Sequence, residues 1–438
     1  MVGVGIFLGP YVVAQHVVSP GLVLLAWSVG GLIVFCGALT YAELGAALPR
    51  AGGSYAYNRE AYGPYVGFLT GWSAFIFGKA ASVSALAVGF VHFLPDILRL
   101  VRPDVFAPGV EFTRVGAAAV AVSLVLIVSA VNVLGVRFAG GVAIVTSSVK
   151  IASLLLLVAG GLAVFAPEFH ALLRAAPASG HAGDNGLLGG FALALVPVFF
   201  AYDGWTNSAQ LAEEVRDPQR NVPRSLVLGV LTVIALYALA NLTYLLAIGP
   251  ENLTTPGAAV ATARAIVGDA GAALVTLAIL LSIVGTMNAV ILSGPRIAYA
   301  MARDGVFPRM VQNVSRFGTP AWSIGLQSAL SVALILLPPL GGRPLFETLL
   351  TYVIANAFLV YALSALALIL LRRRRPDLPR PYKVPLYPIV PLAFISASLF
   401  FLANIALTRP QEAAAGLAIV VAGTPVYTYW ARKTQNPA

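Results

Sequence analysis

The sequence predicts an all-α protein that crosses a membrane many times, and composition is the first reason. Of its 438 residues, 59% are hydrophobic and only 10% are charged, whereas a soluble protein carries about 25% charged residues. Apolar stretches of about twenty residues, long enough to cross a bilayer core, recur from one end of the chain to the other. The distribution of positive charge between these stretches is the third observation.

About twelve membrane spans are predicted. The first falls within residues 1–18 and is incomplete, and the longest polar gaps hold only about twenty residues, so no water-soluble domain is expected. The other predicted spans lie near residues 21–47, 66–95, 113–135, 139–166, 187–211, 224–249, 270–300, 321–340, 347–371, 386–407 and 412–431.

Positive charge is unevenly divided between the two sides of these spans. If the loop after the second span is cytoplasmic, 18 of the 27 Lys and Arg residues lie on the cytoplasmic side and 7 outside. This asymmetry follows the positive-inside rule and predicts a multi-pass protein of the inner (plasma) membrane with both termini in the cytoplasm. The cluster from Arg372 to Arg375 is expected to contact anionic lipid head groups. The net charge of +10 therefore does not indicate nucleic-acid binding.

The opening residues, MVGVGIFLGPYVVAQHVV, are too short and too glycine-rich for an ordinary span. They also lack the basic leader and cleavage site of a signal peptide. They are predicted to form the second half of a helix whose first half is missing, through a mis-assigned start codon or a truncation. The first helix is therefore expected to be N-terminally truncated.

Two predicted spans contain stretches that are expected to be unwound, Gly3–Gly5 and Ala201–Trp205. Inside hydrocarbon, unwound backbone is tolerated only around a buried cavity. About five spans lie between the two stretches, and interruptions at corresponding places in two halves indicate a transporter site. This predicts a 5+5 inverted repeat, with residues 1–166 as the first repeat, 187–371 as the second, and two accessory helices within 383–432.

A broken helix exposes free N–H groups at the start of its second half and free C=O groups at the end of its first half. The first end suits a carboxylate and the second an ammonium, and a free α-amino acid carries both. The alternative is that the glycines only permit close helix packing, but two matched breaks favour a site. The predicted substrate-binding residues are Gly3, Val4, Gly5, Ile6, Phe200, Ala201, Asp203, Gly204 and Trp205.

Asp203 is an acid within a membrane segment, which is costly and usually functional. Three roles stay open: it binds the substrate amine, reaches a cationic side chain, or caps freed N–H groups. Phe199, Phe200, Tyr202 and Trp205 crowd the same point. One of these rings is expected to close over a substrate, and the others to pack as ordinary helix contacts.

Two lysines, Lys150 and Lys79, also lie within predicted spans. A lysine there must be paired, hydrated or neutralised. Lys150 could occupy the place where another transporter holds sodium, shuttle a proton, or extend to the cytoplasmic interface. The same arguments apply less strongly to Lys79.

An intramembrane enzyme is the main alternative class. It needs a nucleophile–base pair or metal ligands buried together. The four histidines are His16, His92, His170 and His181, all near helix ends or in loops without metal-like spacing. The one cysteine, Cys36, excludes disulfides and cysteine-rich metal sites. No catalytic residue, metal or cofactor is expected.

Five motifs together resemble one family. They are GVGIF at 3–7, ALTYAELGAALPRAGGSYAYNREAYG at 38–63, FAYDGWTNSAQLAEEVRDPQRNVPRS at 200–225, RIAYAMARDGVFPR at 296–309 and RRRRPDLPRPYKVPLYPIVP at 372–391. They are similar to the amino acid–polyamine–organocation superfamily, and within it to the L-type amino acid transporter branch and its bacterial relatives. The resemblance covers nearly the whole chain.

The resemblance implies a five-plus-five inverted-repeat core with two further helices, alternating access and amino acid substrates. The family's first-helix amides align with Val4 and Gly5, and its aromatic gate aligns with Phe200. Lys150 falls where many members place the lysine that replaces sodium, with Asn288 close to it in relatives. Sodium-independent transport is therefore implied.

Three departures from the family pattern matter. The missing half-helix removes part of the cytoplasmic gate, and the position of Asp203 varies within the branch between glycine, serine and aspartate. The cysteine that links animal relatives to a heavy chain is absent between Asp96 and Arg114, so no disulfide-linked heavy chain is expected.

The predicted function is sodium-independent exchange of neutral or broad-range amino acids. The alternatives are a proton-coupled amino acid importer, a cationic amino acid or polyamine transporter, and a non-transporting nutrient sensor.

Overall fold

The structure is a computed structural model that describes residues 2–17, 19–101, 112–174, 186–255, 257–337 and 345–435. Within these ranges all regular structure is helical, which confirms the predicted all-α class. The α-helices are Gly5–His16 (α1), Pro20–Ala47 (α2), Ser54–Tyr62 (α3), Pro64–Trp72 (α4), Ala80–Val101 (α5), Arg114–Val133 (α6), Val136–Phe165 (α7), Phe169–Arg174 (α8), Gly186–Tyr202 (α9), Asn207–Gln210 (α10), Pro218–Asn252 (α11), Ala258–Ser293 (α12), Pro295–Arg303 (α13), Ala321–Leu336 (α14), Leu345–Arg374 (α15), Ile389–Thr408 (α16) and Pro410–Gln435 (α17). A π-helix occupies Ser73–Lys79, and 3-10 helices occupy Ala166–Glu168, Ala212–Glu214 and Arg309–Gln312.

The predicted membrane spans correspond to observed helices. Nine stretches within the described ranges are long and apolar enough to cross a bilayer, and Gly189–Tyr202 and Ala321–Leu336 are shorter apolar helices. Together with α1, they account for the predicted set of about twelve spans and confirm a multi-pass membrane protein. Two of the predicted span boundaries coincide with breaks in helix geometry, since Gly249 in α11 and Gly268 in α12 have non-helical backbone angles.

The outer helices present large apolar side chains to their surroundings. Leu156 and Ile144 on α7 are 73% and 70% exposed, and Leu407 at the end of α16 is 84% exposed. Such surfaces are unfavourable in water but stable against lipid tails, which are as apolar as leucine. The exposed apolar faces therefore agree with the spans assigned by length.

The centre of the bundle is formed by α1 and α9, with α2, α11 and α12 packed around them. Small residues permit the close approach of these helices, as is usual in membranes. An added Cβ at Gly161 on α7 would overlap Thr243 on α11, and one at Gly285 on α12 would overlap Thr146 on α7. The short helices α1 and α9 therefore lie among the longer helices α2, α11 and α12.

Helix α4 continues into α5 through the π-helix Ser73–Lys79. A π-segment carries extra residues per turn, leaves backbone groups displaced from the α-helical ladder, and is frequent at functional sites. Asn356 on α15 donates a hydrogen bond from Nδ2 to the Ser73 carbonyl at 3.3 Å. The irregular segment is therefore stabilised from α15, and it ends at the buried lysine of this helix, Lys79.

The helix ends next to the basic loops are joined by buried ion pairs. Glu43 on α2 has no exposed side-chain area and accepts hydrogen bonds from Arg372 at 2.8 and 2.5 Å. It also accepts the Val384 N–H at 2.7 Å and lies 3.5 Å from Arg380. One carboxylate thus joins α2 to the segment between α15 and α16.

A second set of ion pairs joins the chain after α9 to α13. Glu213 pairs with Arg303 at 2.8 Å, and Glu214 pairs with Arg296 at 2.9 Å. Glu213 also accepts the Ala51 N–H at 3.3 Å. These contacts fix the position of the segment that follows the second helix break.

Glu43→Gln is expected to destabilise the protein, because it leaves two arginines beside a neutral group that offers one acceptor oxygen instead of two. Breaking a buried ion pair from one side costs about 3 kcal/mol or more. The apparent unfolding temperature in detergent measures the effect. The control is Glu251→Gln at an exposed site, which should leave that temperature unchanged; equal unfolding temperatures for the two variants would contradict this account of Glu43.

Candidate functional site

The second predicted break is present as a turn, whereas in the first predicted stretch, Gly3–Gly5, Gly5 is already helical. Helix α1 begins at Gly5 after a turn at Gly3 and Val4, and its first N–H groups have no acceptor within the helix. Helix α9 ends at Tyr202, and a turn over residues 203–206 separates it from α10. Gly204 lies in this turn with φ of 94°, a conformation that favours glycine. The second break begins two residues later than predicted, because Ala201 and Tyr202 are still helical.

The two breaks lie against each other. The backbone of Gly5 packs on Ala201 so closely that an added Cβ would overlap the Ala201 Cα and Cβ atoms. Tyr237 on α11 donates a hydrogen bond to the Ala201 carbonyl at 3.1 Å. The start of α1 and the end of α9 are therefore held side by side.

A cavity of about 480 Å³ opens beside this contact. Its volume lies within the range of small-molecule sites, about 300–1,000 Å³. Nine of the residues that the sequence singles out line it: Gly3, Val4, Gly5, Lys150, Phe200, Ala201, Asp203, Gly204 and Trp205. Residues that lie about 200 positions apart in the sequence thus share one cavity.

Two predicted site residues lie elsewhere. Ile6 is fully buried in the apolar core, away from the cavity lining. Asn288 on α12 donates to the Ala139 carbonyl at 2.9 Å and accepts from Asn132 at 2.8 Å. These contacts tie α12 to α6 and α7, outside the cavity lining.

Lys150 is buried inside the bundle rather than extended to an interface. Its Nζ donates hydrogen bonds to the Val2 carbonyl and to Thr286 Oγ1, each at 3.0 Å. Thr286, two residues before Asn288, is therefore the α12 partner of this lysine. The ammonium ties α7 and α12 to the chain that leads into α1.

The Asp203 carboxylate accepts a hydrogen bond from the Tyr361 hydroxyl at 2.7 Å. Its own N–H bonds to the Phe200 carbonyl at 3.2 Å, in the turn that ends α9. The side chain lines the main cavity and a smaller one of about 40 Å³. The carboxylate is therefore held by a hydroxyl from α15 while facing the space where a ligand would lie.

The four aromatic rings near the second break divide into two groups. Phe200 is half-buried and lines the cavity, so this ring can move over a ligand. The other three pack inside the protein, with centroid distances of 4.5 Å for Phe199 to Phe358, 5.1 Å for Tyr202 to Tyr237 and 4.9 Å for Trp205 to Tyr41.

Sequence reasoning missed most of the polar side chains in the cavity. A single hydroxyl in a membrane helix commonly bonds its own helix backbone, so it carries no signal of a site. Asn207 and Ser208, close after the second break, and Thr286, two residues before Asn288, stood near predicted features. The missed polar residues are Ser82, Ser147, Asn207, Ser208, Ser225, Thr232 and Thr286.

Comparison with known families identifies the fold. The family described as amino acid permease matches residues 1–427. The chain belongs to this family. Membership confirms the predicted resemblance and the prediction of a transporter rather than an enzyme.

Several characterised permeases are similar over almost the whole chain. The serine/threonine exchanger SteT of Bacillus subtilis (strain 168) is 29% identical, over 98% of this chain and 92% of its own. The large neutral amino acids transporter small subunit 2 of Mus musculus is 31% identical, over 99% of this chain and 79% of its own. The Asc-type amino acid transporter 1 of Mus musculus is 29% identical, with coverages of 99% and 79%.

Gly5→Ala is expected to destabilise the protein, because its Cβ would overlap the Ala201 backbone. Overpacking of this kind costs about 1–3 kcal/mol, although alanine normally favours a helix over glycine. The control is Gly141→Ala in α7, where an added Cβ meets no neighbour within 4 Å. Thermal unfolding in detergent should fall for Gly5→Ala and stay level or rise for Gly141→Ala; the same change in both would show that the two breaks are not in tight contact.

Proposed function

We propose that this protein exchanges amino acids across the membrane by alternating access, without sodium, and holds the substrate at the two helix breaks. One observation carries the proposal. The free N–H groups that start α1 and the carbonyls of Phe200 and Ala201 near the end of α9 are adjacent on one cavity. These two main-chain ends have opposite polarity, as do the two ends of a zwitterionic α-amino acid.

The α-carboxylate of the substrate would lie at the start of α1. The N–H groups of Val4, Gly5 and Ile6 have no acceptor within the helix, and Val4 and Gly5 line the cavity. The positive end of the helix dipole attracts an anion. The absence of a Cβ at Gly5 leaves its backbone open to close approach. Lys150, bonded to the Val2 carbonyl, adds positive charge to this end of the cavity.

The α-ammonium of the substrate would lie at the end of α9. A carbonyl oxygen has two lone pairs, so the oxygens of Phe200 and Ala201 can each accept a further hydrogen bond. Asp203 adds negative charge at the same end, and the Phe200 ring can cover the bound substrate. These features complete a site with a positive and a negative end.

Lys150 supports sodium independence. Its ammonium places a positive charge between α7, α12 and the chain before α1. A sodium ion in such a place would be coordinated by the same kinds of group, a backbone carbonyl and a hydroxyl oxygen. The lysine therefore supplies the bracing that a bound sodium would otherwise give. Asn288 stabilises this region through its hydrogen bonds to α6 and α7.

The wider arrangement follows from the same features. The matched breaks support inverted repeats at 1–166 and 187–371, with accessory helices in 383–432. The positive charge of the loops supports a location in the inner (plasma) membrane with both termini in the cytoplasm. Cys36, the one cysteine of the sequence, lies within α2. This position supports the prediction that no heavy chain is linked to the protein by a disulfide.

A proton-coupled importer is the second candidate. Lys150 and Asp203 are two ionisable side chains on one cavity, and either can carry a proton between the two sides. Exchange is favoured because SteT, similar over 98% of this chain, is a serine/threonine exchanger.

Counterflow in proteoliposomes tests the proposed function. Uptake of radiolabelled L-serine is expected only when the vesicles contain an unlabelled amino acid, and replacing sodium with choline should not change it. Uptake into empty vesicles driven by a pH gradient would identify a proton-coupled importer. Saturable binding without any flux would identify a nutrient sensor.

Lys150→Ala is expected to raise the half-saturating L-serine concentration about tenfold, because the start of α1 loses the ammonium on Val2. A charged hydrogen bond is worth about 1.5–3 kcal/mol, which is at least that factor. Lys150→Arg, which keeps the charge, should retain part of the affinity. Loss of both variants from the membrane would instead show that Lys150 serves folding.

A further inference from the structure

Lys79 is a second buried lysine beside the site, and the proposed mechanism does not use it. It closes the π-helix between α4 and α5, and its Nζ donates to Asn207 Oδ1 at 2.7 Å. Asn207 in turn lines the main cavity. Gly294 leaves room for the lysine, because an added Cβ there would lie 3.1 Å from Lys79 Cγ.

Lys79 and Asp203 share the smaller cavity. Both line its space of about 40 Å³, together with Tyr361, and the Asp203 carboxylate acts electrostatically on the Lys79 ammonium. The space is too small for an amino acid. Asp203 lines both cavities, whereas Lys79 lines the smaller one and not the main one, so Lys79 would act on a ligand through the charge of that carboxylate.

We infer that Lys79 balances the charge of Asp203 and thereby restricts the site to neutral amino acids; this rests on the proposed function and names its substrate class. A lone carboxylate on the cavity would attract substrates with a cationic side chain. With Lys79 on the smaller cavity, the pair has no net charge, and Lys150 is the one remaining charge among these three side chains. A dibasic amino acid or a polyamine would add positive charge to a cavity that is already positive.

The size of this effect is measurable. Two unit charges within the site interact strongly enough, at the effective dielectric constant of a protein, to change relative affinities by about tenfold or more. Removing Lys79 should therefore shift selectivity toward cationic substrates. Removing Asp203 alone should shift it toward anionic ones, because Lys79 is then unbalanced.

The test compares the exchange efficiencies of L-serine, L-lysine and L-glutamate in proteoliposomes. Lys79→Met should raise the L-lysine to L-serine ratio about tenfold or more, and adding Asp203→Asn should remove that gain. Asp203→Asn alone should raise the L-glutamate to L-serine ratio by a similar factor. Lys79→Arg, which keeps the charge, should leave the selectivity close to that of the wild type.

The matched control is Lys383→Met, which removes one positive charge at an exposed site and should leave both ratios unchanged. Unchanged ratios in Lys79→Met, or a gain that persists in the double variant, would overturn the inference. If Lys79→Met does not reach the membrane, Asp203→Asn decides, and an unchanged L-glutamate ratio overturns it. Failure of the wild type to exchange any amino acid would instead reject the proposed function.

Discussion

Backbone polar groups inside a membrane must find partners within the protein, and two helix ends in the centre of this bundle depend on that constraint. The start of α1 and the end of α9 leave main-chain groups without helical partners, and the surrounding helices compensate. Tyr237 bonds the Ala201 carbonyl near the end of α9, and Lys150 holds the carbonyl of Val2. The close packing of Gly5 on Ala201 places both helix ends on one cavity, where we propose that the substrate binds.

The charged side chains of the core have different roles. Lys150 supports the start of α1, while Asp203 marks the end of α9 and is held by Tyr361. Lys79, at the end of a π-helix, lines the smaller cavity with Asp203. Glu43 joins α2 to the segment between α15 and α16, and Glu213 and Glu214 join the chain after α9 to α13. Lys150, Asp203 and Lys79 thus lie at the cavities. The three glutamates instead form ion pairs between segments of the chain.

The sequence was most informative where membrane chemistry allows few alternatives. Long apolar runs predicted the spans, and Gly204 and Gly5 marked the breaks, because glycine and acid residues rarely interrupt such runs without a cause. The contacts between helices could not be predicted from the sequence. The pairing of Lys150 with Thr286 and the separate contacts of Asn288 depend on helix rotation, and the hydroxyls of the cavity look the same in sequence as hydroxyls that bond their own helix.

A structure of the protein in a lipid nanodisc with bound L-serine tests the central claim most directly. The account predicts the substrate carboxylate within about 3 Å of the N–H groups that begin α1, and the ammonium at the carbonyls that end α9. A substrate bound outside this cavity, or one whose carboxylate faces Asp203, would contradict it.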